Sequence, residues 1–164
     1  MAGDLKIGVT GHQGLTEDTE LMVRDSIGTY LGTKAGFVGV TSLAEGADQI
    51  FAEEVLKAGG ELEVVIPSDH YESSFESTAA RSNYERVKAM AKAVIQLEFV
   101  EPSQDAYWAA GKKIVDVADE LIAVWDGKEA VGHGGTGDVV HYAQSIGRKV
   151  VIVWPEGARR LAKN

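Results

Sequence analysis

One stretch near the carboxyl end of the chain constrains the fold more than any other. It starts with an uninterrupted apolar run, Leu121–Trp125, and continues through Asp126 and Gly127 to the turn His133-Gly134-Gly135-Thr136. An apolar run without polar alternation predicts a parallel strand that is covered on both faces. The glycines allow a ligand to approach the backbone, and Thr136 is placed to cap a following helix. The stretch predicts a strand, a turn and a helix whose first amides can bind a phosphate or carboxylate, or else a turn that only reverses the chain.

The same succession of strand and helix recurs along the chain. Strands are predicted at 6–10, 36–41, 62–66, 93–100, 121–125 and 149–154, with Pro67 ending the third. Helices are predicted from the cap Thr16 to about 31, from 48 to about 58, over 75–92, over 104–118, and between Thr136 and Gly147. Five connections have the form of β–helix–β crossovers. The pattern therefore predicts an α/β, three-layer Rossmann-like fold with a mostly parallel six-stranded sheet and helices on both faces.

The overall composition favours one globular domain. The 164 residues predict a single domain over 1–164, in which the basic residues 158–164 form a frayed tail. No apolar run approaches the roughly 20 residues of a membrane helix, and the start MAGDLKIGVTG does not resemble a signal peptide. The absence of cysteine excludes disulfides and fits a cytoplasmic location. We therefore expect a cytoplasmic protein with no membrane partner.

The charge and the histidines limit the expected partners. A net charge of −9 argues against a nucleic-acid partner, because such proteins carry basic surfaces. The four histidines show no HExxH-type spacing, so no metal site is expected. The glycine-rich turn at a helix start favours a small-molecule ligand, and no cofactor is expected to be required.

Candidate ligand-binding residues follow the predicted strands. Gly11 and His12 follow the first strand and would form one wall of a pocket. The second strand is followed by Ser42, Glu45, Gly46 and Asp48, where small residues permit close backbone approach. The two acids either hold ribose hydroxyls or are solvated first-turn residues that complement the helix dipole.

Three further positions complete the candidate set. Asp126, just past the fifth predicted strand, either reaches the same pocket or is ordinary Asp-Gly turn chemistry. Gly134, Gly135 and Thr136 would hold a phosphate. Arg81, one turn from Tyr84, either contacts an anionic ligand or is a solvated surface arginine.

The motifs together resemble those of the SLOG superfamily. The resemblance rests on the segments Gly8-Val9-Thr10-Gly11-His12, Ser42-Leu43-Ala44-Glu45-Gly46-Ala47-Asp48, Val65-Ile66-Pro67 and Ala123-Val124-Trp125-Asp126-Gly127 followed by Gly134-Gly135-Thr136. That superfamily joins the Lonely-Guy (LOG) phosphoribohydrolases with DprA-like and YpsA-like Rossmann proteins and with sensors of nucleotide-derived signals. The resemblance implies a modified Rossmann fold that binds a nucleotide or a nucleotide derivative at the carboxyl ends of its strands.

The chain departs from the hydrolases of this group at one position. Those enzymes carry PGGxGTxxE, and aligning Gly135-Thr136 with its GT places Val139 where the glutamate belongs. Valine cannot act as a general acid or base. The neighbouring Asp138 is rotated by about 100° around the helix from that position. The leading hypothesis is therefore a binding or sensing protein rather than an enzyme.

Two other hypotheses stay open. One is a nucleotide phosphoribohydrolase that uses Asp138, Asp126 or Glu45 as its acid–base group. The other is a regulatory or scaffold subunit without catalysis. A homodimer is also expected, from the resemblance and from aromatic residues that need not all be core, namely Tyr71, Phe75, Tyr84, Tyr107 and Trp108.

Overall fold

One six-stranded sheet organises the protein. The computed structural model describes residues 4–129 and 134–161. The strands are β1 (Leu5–Gly11), β2 (Phe37–Thr41), β3 (Glu61–Ser68), β4 (Ala93–Phe99), β5 (Glu120–Val124) and β6 (Lys149–Val153). Their order is β4-β3-β2-β1-β5-β6, and each pair of neighbours is parallel. The predicted α/β fold is confirmed, and the sheet is wholly rather than mostly parallel.

The helices form a layer on each face of this sheet. They are α1 (Glu17–Leu31), α2 (Ala47–Lys57), α3 (Thr78–Lys88), α4 (Gln104–Val117) and α5 (Thr136–Ser145). On one face α2 packs against β1, β2 and β3 and contacts α1 and α3, whereas α4 and α5 pack together on the other. Successive strand residues serve opposite layers, because side chains alternate along a strand: Ile122 joins the core beneath α1 and α2, and Leu121 joins the core beneath α4 and α5. This arrangement is the predicted three-layer structure.

Hydroxyl caps start several of these helices. Thr16 Oγ1 accepts a hydrogen bond from the Thr19 amide at 3.2 Å, as predicted for α1. Ser77 and Ser103 make the same contact at the starts of α3 and α4. A helix cannot extend backwards past such a cap, so α3 begins at Thr78 rather than at the predicted residue 75.

Pro67 lies inside a strand instead of ending one. β3 continues to Ser68, and its pairing with β4 shifts register between Ile66 and Ser68. A proline has no amide proton to give to the ladder, and it is tolerated in a sheet at such an irregularity. The prediction that Pro67 ends the strand was therefore wrong by two residues.

The aromatic residues on which the homodimer prediction partly rested are mostly core. Tyr71, Phe75 and Tyr84 are only 3%, 8% and 1% exposed and pack edge-on or tilted against one another. The large apolar side chains that are exposed include Val94, Phe99 and Val100, in and just after the edge strand β4. The homodimer remains a prediction, but buried aromatics do not support it.

The expected frayed tail is wrong for residues 158–161. The Thr16 amide donates to Arg159 O at 3.2 Å, and the Leu161 amide donates to Gly14 O at 3.0 Å. The Arg159 amide donates to Thr19 Oγ1 at 2.7 Å. These bonds attach the end of the described chain to the loop between β1 and α1.

The described helices are also informative about membranes. None of them combines the length and the apolar character that crossing a bilayer requires.

Candidate functional site

A cavity of about 780 Å³ opens at the carboxyl ends of the strands. Its lining includes the end of β1, the turn after β2 and the start of α5. β1 pairs with β2 on one side and with β5 on the other, so the chain changes direction across the sheet at this strand. Ligands of open α/β sheets bind at such a switch point, because the loops there diverge and leave a crevice.

His12 connects the loops that meet at this point. Its amide donates to Val124 O at 3.1 Å, and its carbonyl accepts from the Ala47 amide at 3.2 Å. The ring is 7% exposed and lies edge-on to Trp154. Both Gly11 and His12 line the cavity, as the sequence predicted for this wall.

Asp126 lies behind His12 and is not among the residues that line the cavity. His12 Nε2 is 3.1 Å from the Asp126 amide and 3.3 Å from Asp126 Oδ1. An unprotonated Nε2 accepts from the amide, and a protonated one pairs with the carboxylate. Burial acts to raise the pKa of Asp126, but the Lys128 amide, His12 and Arg160 together hold that pKa below its usual value. The Asp126 carboxylate therefore interacts with His12 and Arg160 and is not part of the cavity lining.

The turn after β2 is held under strain. Leu43 is fully buried at φ 58°, a conformation that costs a branched side chain free energy. Gln49 Nε2 holds this turn by donating to Leu43 O at 3.1 Å and to Ala80 O at 3.0 Å. The turn carries Ser42, whose Oγ is buried and has no hydrogen-bond partner among the described residues. Strained turns and unsatisfied buried hydroxyls are both typical of binding sites.

Asp48 is buried at the cavity rather than solvated. One of its carboxylate oxygens accepts from the Ala44 amide at 3.2 Å, and the side chain is 8% exposed. Burial raises the pKa of Asp48 to about 7, against the lowering effect of hydrogen bonds from the Ala44 and Ser42 backbone. The simple alternative of a solvated first-turn acid is therefore wrong for Asp48.

Glu45 and Gly46 differ in their position relative to the cavity. Glu45 lines the cavity and accepts from Ser77 Oγ at 3.3 Å, which links it to the start of α3. Gly46 is not part of the lining; it has φ 91° and packs against the backbone of Gln13. The candidate ligand contact at Gly46 is instead a close contact between two loops.

The start of α5 carries the glycine-rich turn. Gly134, Gly135 and Thr136 line the cavity, whereas His133 lies outside the described residues. Thr136 is the first residue of the helix and not its cap; Gly135 holds the cap position, with no side chain bonded there. The cap position of α5 therefore has no side-chain hydrogen bond, and the first-turn amides lie at the positive end of the helix dipole, where anions bind favourably.

Asp138 and Val139 make different contacts in this helix. Asp138 Oδ2 accepts from the Gly134 amide at 2.8 Å, so the carboxylate holds the turn in place. Val139 is 3% exposed and packs against Gly111 of α4 at the cavity wall. The position of the hydrolase glutamate is therefore apolar, and Asp138 is not in the lining.

The arginine at the cavity is not the one that we expected. Arg81 is exposed on α3 and is not part of the cavity lining, which agrees with the alternative of a solvated surface arginine. Arg160 and Lys128 do line it. Arg160 lies in the tail after the last strand, where the sequence has no periodic pattern. Its positive charge is the one sequence signal that indicates an anion-binding role.

Aromatic residues form another part of the lining. Tyr71, Phe75 and Tyr107 contribute there, and the Tyr71 and Tyr107 rings are 6.3 Å apart. The homodimer prediction counted these three among aromatic residues that need not all be core, and no local pattern placed them at a cavity. No group of three or more potential metal ligands occurs among the residues 4–129 and 134–161.

Comparison with known proteins gives structural matches only. No family model and no curated protein matches the sequence. DNA processing protein A (DprA) from Streptococcus pneumoniae matches over 94% of this chain with a TM-score of 0.68 and 19% identity. DprA from Helicobacter pylori matches over 96% with a TM-score of 0.70 and 16% identity. The molybdenum cofactor binding protein from Rippkaea orientalis matches over 93% with a TM-score of 0.59 and 18% identity.

The matched proteins are longer than this chain. It spans about half, 52%, of the S. pneumoniae DprA chain, and 69% and 77% of the other two. At these identities the matches establish the fold and leave function to be argued from the site.

One prediction is overturned by these matches. The net charge of −9 was taken to exclude a nucleic-acid partner, yet H. pylori DprA, which has this fold, is described by its single-stranded DNA binding mode. Total charge is a sum over the whole surface and does not describe the potential inside one groove. The exclusion is therefore wrong.

The fold itself is now identified. Two kinds of observation indicate the same fold. One is the strand order, with the cavity at β1 and β5, and the other is the set of matches to DprA and to a molybdenum cofactor binding protein. The resemblance of the motifs implied the same result. The chain has the Rossmann-like fold that it shares with these solved structures.

Proposed function

We propose that the protein binds a nucleotide or a nucleotide-derived small molecule in the cavity at the ends of β1, β2 and β5. One observation carries this proposal: the first turn of α5, whose cap position has no side-chain hydrogen bond, opens onto a cavity of about 780 Å³. Ser42 belongs to the same lining, and its buried Oγ has no hydrogen-bond partner among the described residues. An unpaired buried hydroxyl costs about 1–3 kcal/mol, which is typical of sites kept for binding rather than for stability.

The parts of the cavity suit the parts of a nucleotide. The amides of α5, with Lys128 and Arg160, favour a phosphate. Glu45 offers carboxylate oxygens to hydroxyl groups, and the aromatic residues Tyr71 and Tyr107 offer apolar surface to a planar ring. A volume of about 780 Å³ lies within the range for small-molecule sites, about 300–1,000 Å³.

We expect AMP to stabilise the protein more than adenosine does. The two ligands differ only in the phosphate, which the amides of α5 would bind. A ligand at 100 times its Kd adds about 2.7 kcal/mol to the free energy of unfolding. Thermal denaturation with AMP, adenosine and a short single-stranded oligonucleotide measures the difference, and the oligonucleotide is included because H. pylori DprA binds single-stranded DNA.

The outcome decides between the hypotheses. Equal shifts of the denaturation temperature with AMP and adenosine would mean that the site does not bind the phosphate group. A shift with the oligonucleotide alone would replace the small molecule with a nucleic acid. No shift with any nucleotide of a broad panel would favour the regulatory or scaffold hypothesis.

We also expect no hydrolysis of AMP at an ordinary enzymatic rate, on the order of 1 per second. Val139 brings no titratable group to the cavity wall, and the Asp138 carboxylate already accepts a hydrogen bond from the Gly134 amide. Asp138→Ala should weaken AMP binding, because it removes the bond that holds the glycine-rich turn. Asp138→Asn should preserve most of the binding, because the amide oxygen still accepts from Gly134. Chromatography for free adenine, with calorimetry for binding, checks both statements.

The same pair of variants tests the enzyme hypothesis. An acid–base group loses its function in Asp138→Asn, typically by a factor of about 10²–10⁴ in rate. Release of adenine by the native protein that Asp138→Asn abolishes, with binding retained, would make the protein an enzyme.

A further inference from the structure

The last described residues of the chain are attached on both sides of Arg160. Arg159 O accepts from the Thr16 amide, the Arg159 amide donates to Thr19 Oγ1, and the Leu161 amide donates to Gly14 O at 3.0 Å. Arg160 itself forms an antiparallel bridge with Leu15. We call residues 158–161 the C-terminal segment. Its backbone is held against the loop between β1 and α1, so the starting point of the Arg160 side chain is determined.

Adjacent arginines of this segment have different surroundings. Arg160 lines the cavity, whereas Arg159 is exposed and does not. Side chains of successive residues in an extended segment point to opposite sides, which separates the two arginines. Only one of two equal charges therefore belongs to the cavity.

The guanidinium of Arg160 retains its hydrogen-bonding capacity. Its Nη1 lies 3.9 Å from Asp126 Oδ2, which is longer than a hydrogen bond, and the side chain is 39% exposed. No described residue accepts a hydrogen bond from this guanidinium. The Asp126 carboxylate is already bonded to the Lys128 amide at 3.0 Å. Asp126 thus attracts the Arg160 guanidinium without saturating its five N–H donors.

We propose that Arg160 is an anion-binding residue of the cavity, delivered by the C-terminal segment to bind the phosphate group of the ligand. A guanidinium donates two parallel hydrogen bonds to a phosphate, which a lysine cannot match in geometry. The inference rests on the proposed function, since it assigns a residue to the same site. It adds that the site is incomplete without residues that follow the last strand of the sheet.

The test compares Arg160→Gln with the matched control Arg159→Gln. Both variants remove one positive charge from neighbouring exposed residues, so they change the net charge of the protein equally. The probe is inorganic phosphate, titrated at constant ionic strength and followed by NMR at the Gly135 to Gly137 amides and the Arg160 guanidinium. We expect saturable binding that Arg160→Gln weakens by about tenfold or more, because a hydrogen bond to a charged group is lost. Arg159→Gln should change the Kd by less than about twofold, and Arg160→Lys should lie between the two.

Two outcomes would overturn the inference. One is an equal Kd in Arg160→Gln and Arg159→Gln, and the other is the absence of any saturable phosphate effect on the native protein. Thermal denaturation of the variants without ligand checks that both remain folded. AMP binding that is insensitive to Arg160→Gln would refute the inference and leave the proposed function intact. Phosphate binding that depends on Arg160, with no nucleotide binding, would support the role of Arg160 and refute the proposed function.

Discussion

Replacing Gly46 with alanine is expected to lower the free energy of unfolding by about 4 kcal/mol. Two costs add in this variant. Gly46 has φ 91° and ψ −126°, a backbone conformation that costs other residues about 1–3 kcal/mol. A Cβ at this position would also lie 2.3 Å from Gln13 O, a contact with backbone that no change of rotamer relieves, and overpacking costs about 1–3 kcal/mol. Urea denaturation measures the loss.

Gly59 provides the matched control for this prediction. It has φ 83°, but no heavy atom lies within 4 Å of the Cβ that an alanine would add. Gly59→Ala should therefore show the conformational cost alone, about 1–2 kcal/mol. Equal losses in the two variants would mean that the contact between Gly46 and Gln13 is not tight. Because Gln13 lines the cavity, Gly46→Ala should impair ligand binding in addition to stability.

The stability of the protein is expected to fall by about 4 kcal/mol, through Asp48 alone, as the pH rises from below 4 to above 7. Burial raises the pKa of this carboxyl from 3.8 to about 7, so the folded protein retains a proton that the unfolded chain releases. The contribution is fully present below the unfolded pKa. It is lost as the pH rises through the folded pKa.

Asp48→Asn separates this contribution from those of the other acids. Asparagine has a similar shape and keeps an acceptor for the Ala44 amide, but it does not titrate. The difference in unfolding free energy between the native protein and this variant should therefore shift by about 4 kcal/mol between pH 4 and pH 8, to the disadvantage of the native protein at pH 8. Urea denaturation of both proteins across this range gives the difference. A constant difference would show that the pKa of Asp48 is not raised.

The sequence by itself determined the layers of this protein. Local patterns predict the strands and helices. The apolar run Leu121–Trp125 corresponds to the buried strand β5, and Thr16 is the cap of α1. Gly59 follows the end of α2 and has a positive φ. These signals depend on neighbours a few residues apart, so they are readable from one chain. Crossover connections between such elements favour a parallel sheet.

Tertiary structure decided which residues meet at the cavity. Arg81 and Arg160 are equally basic in the sequence, but only Arg160 reaches the cavity, through a bond between Arg159 and Thr19 across 140 residues of chain. Asp48 and Asp126 are both acids after a strand, yet one lines the cavity and the other lies behind His12. The burial of Tyr71 and Tyr84 was left open by the sequence, and both are core. Each of these results depends on the packing of segments that are distant in sequence, and local periodicity carries no information about such contacts.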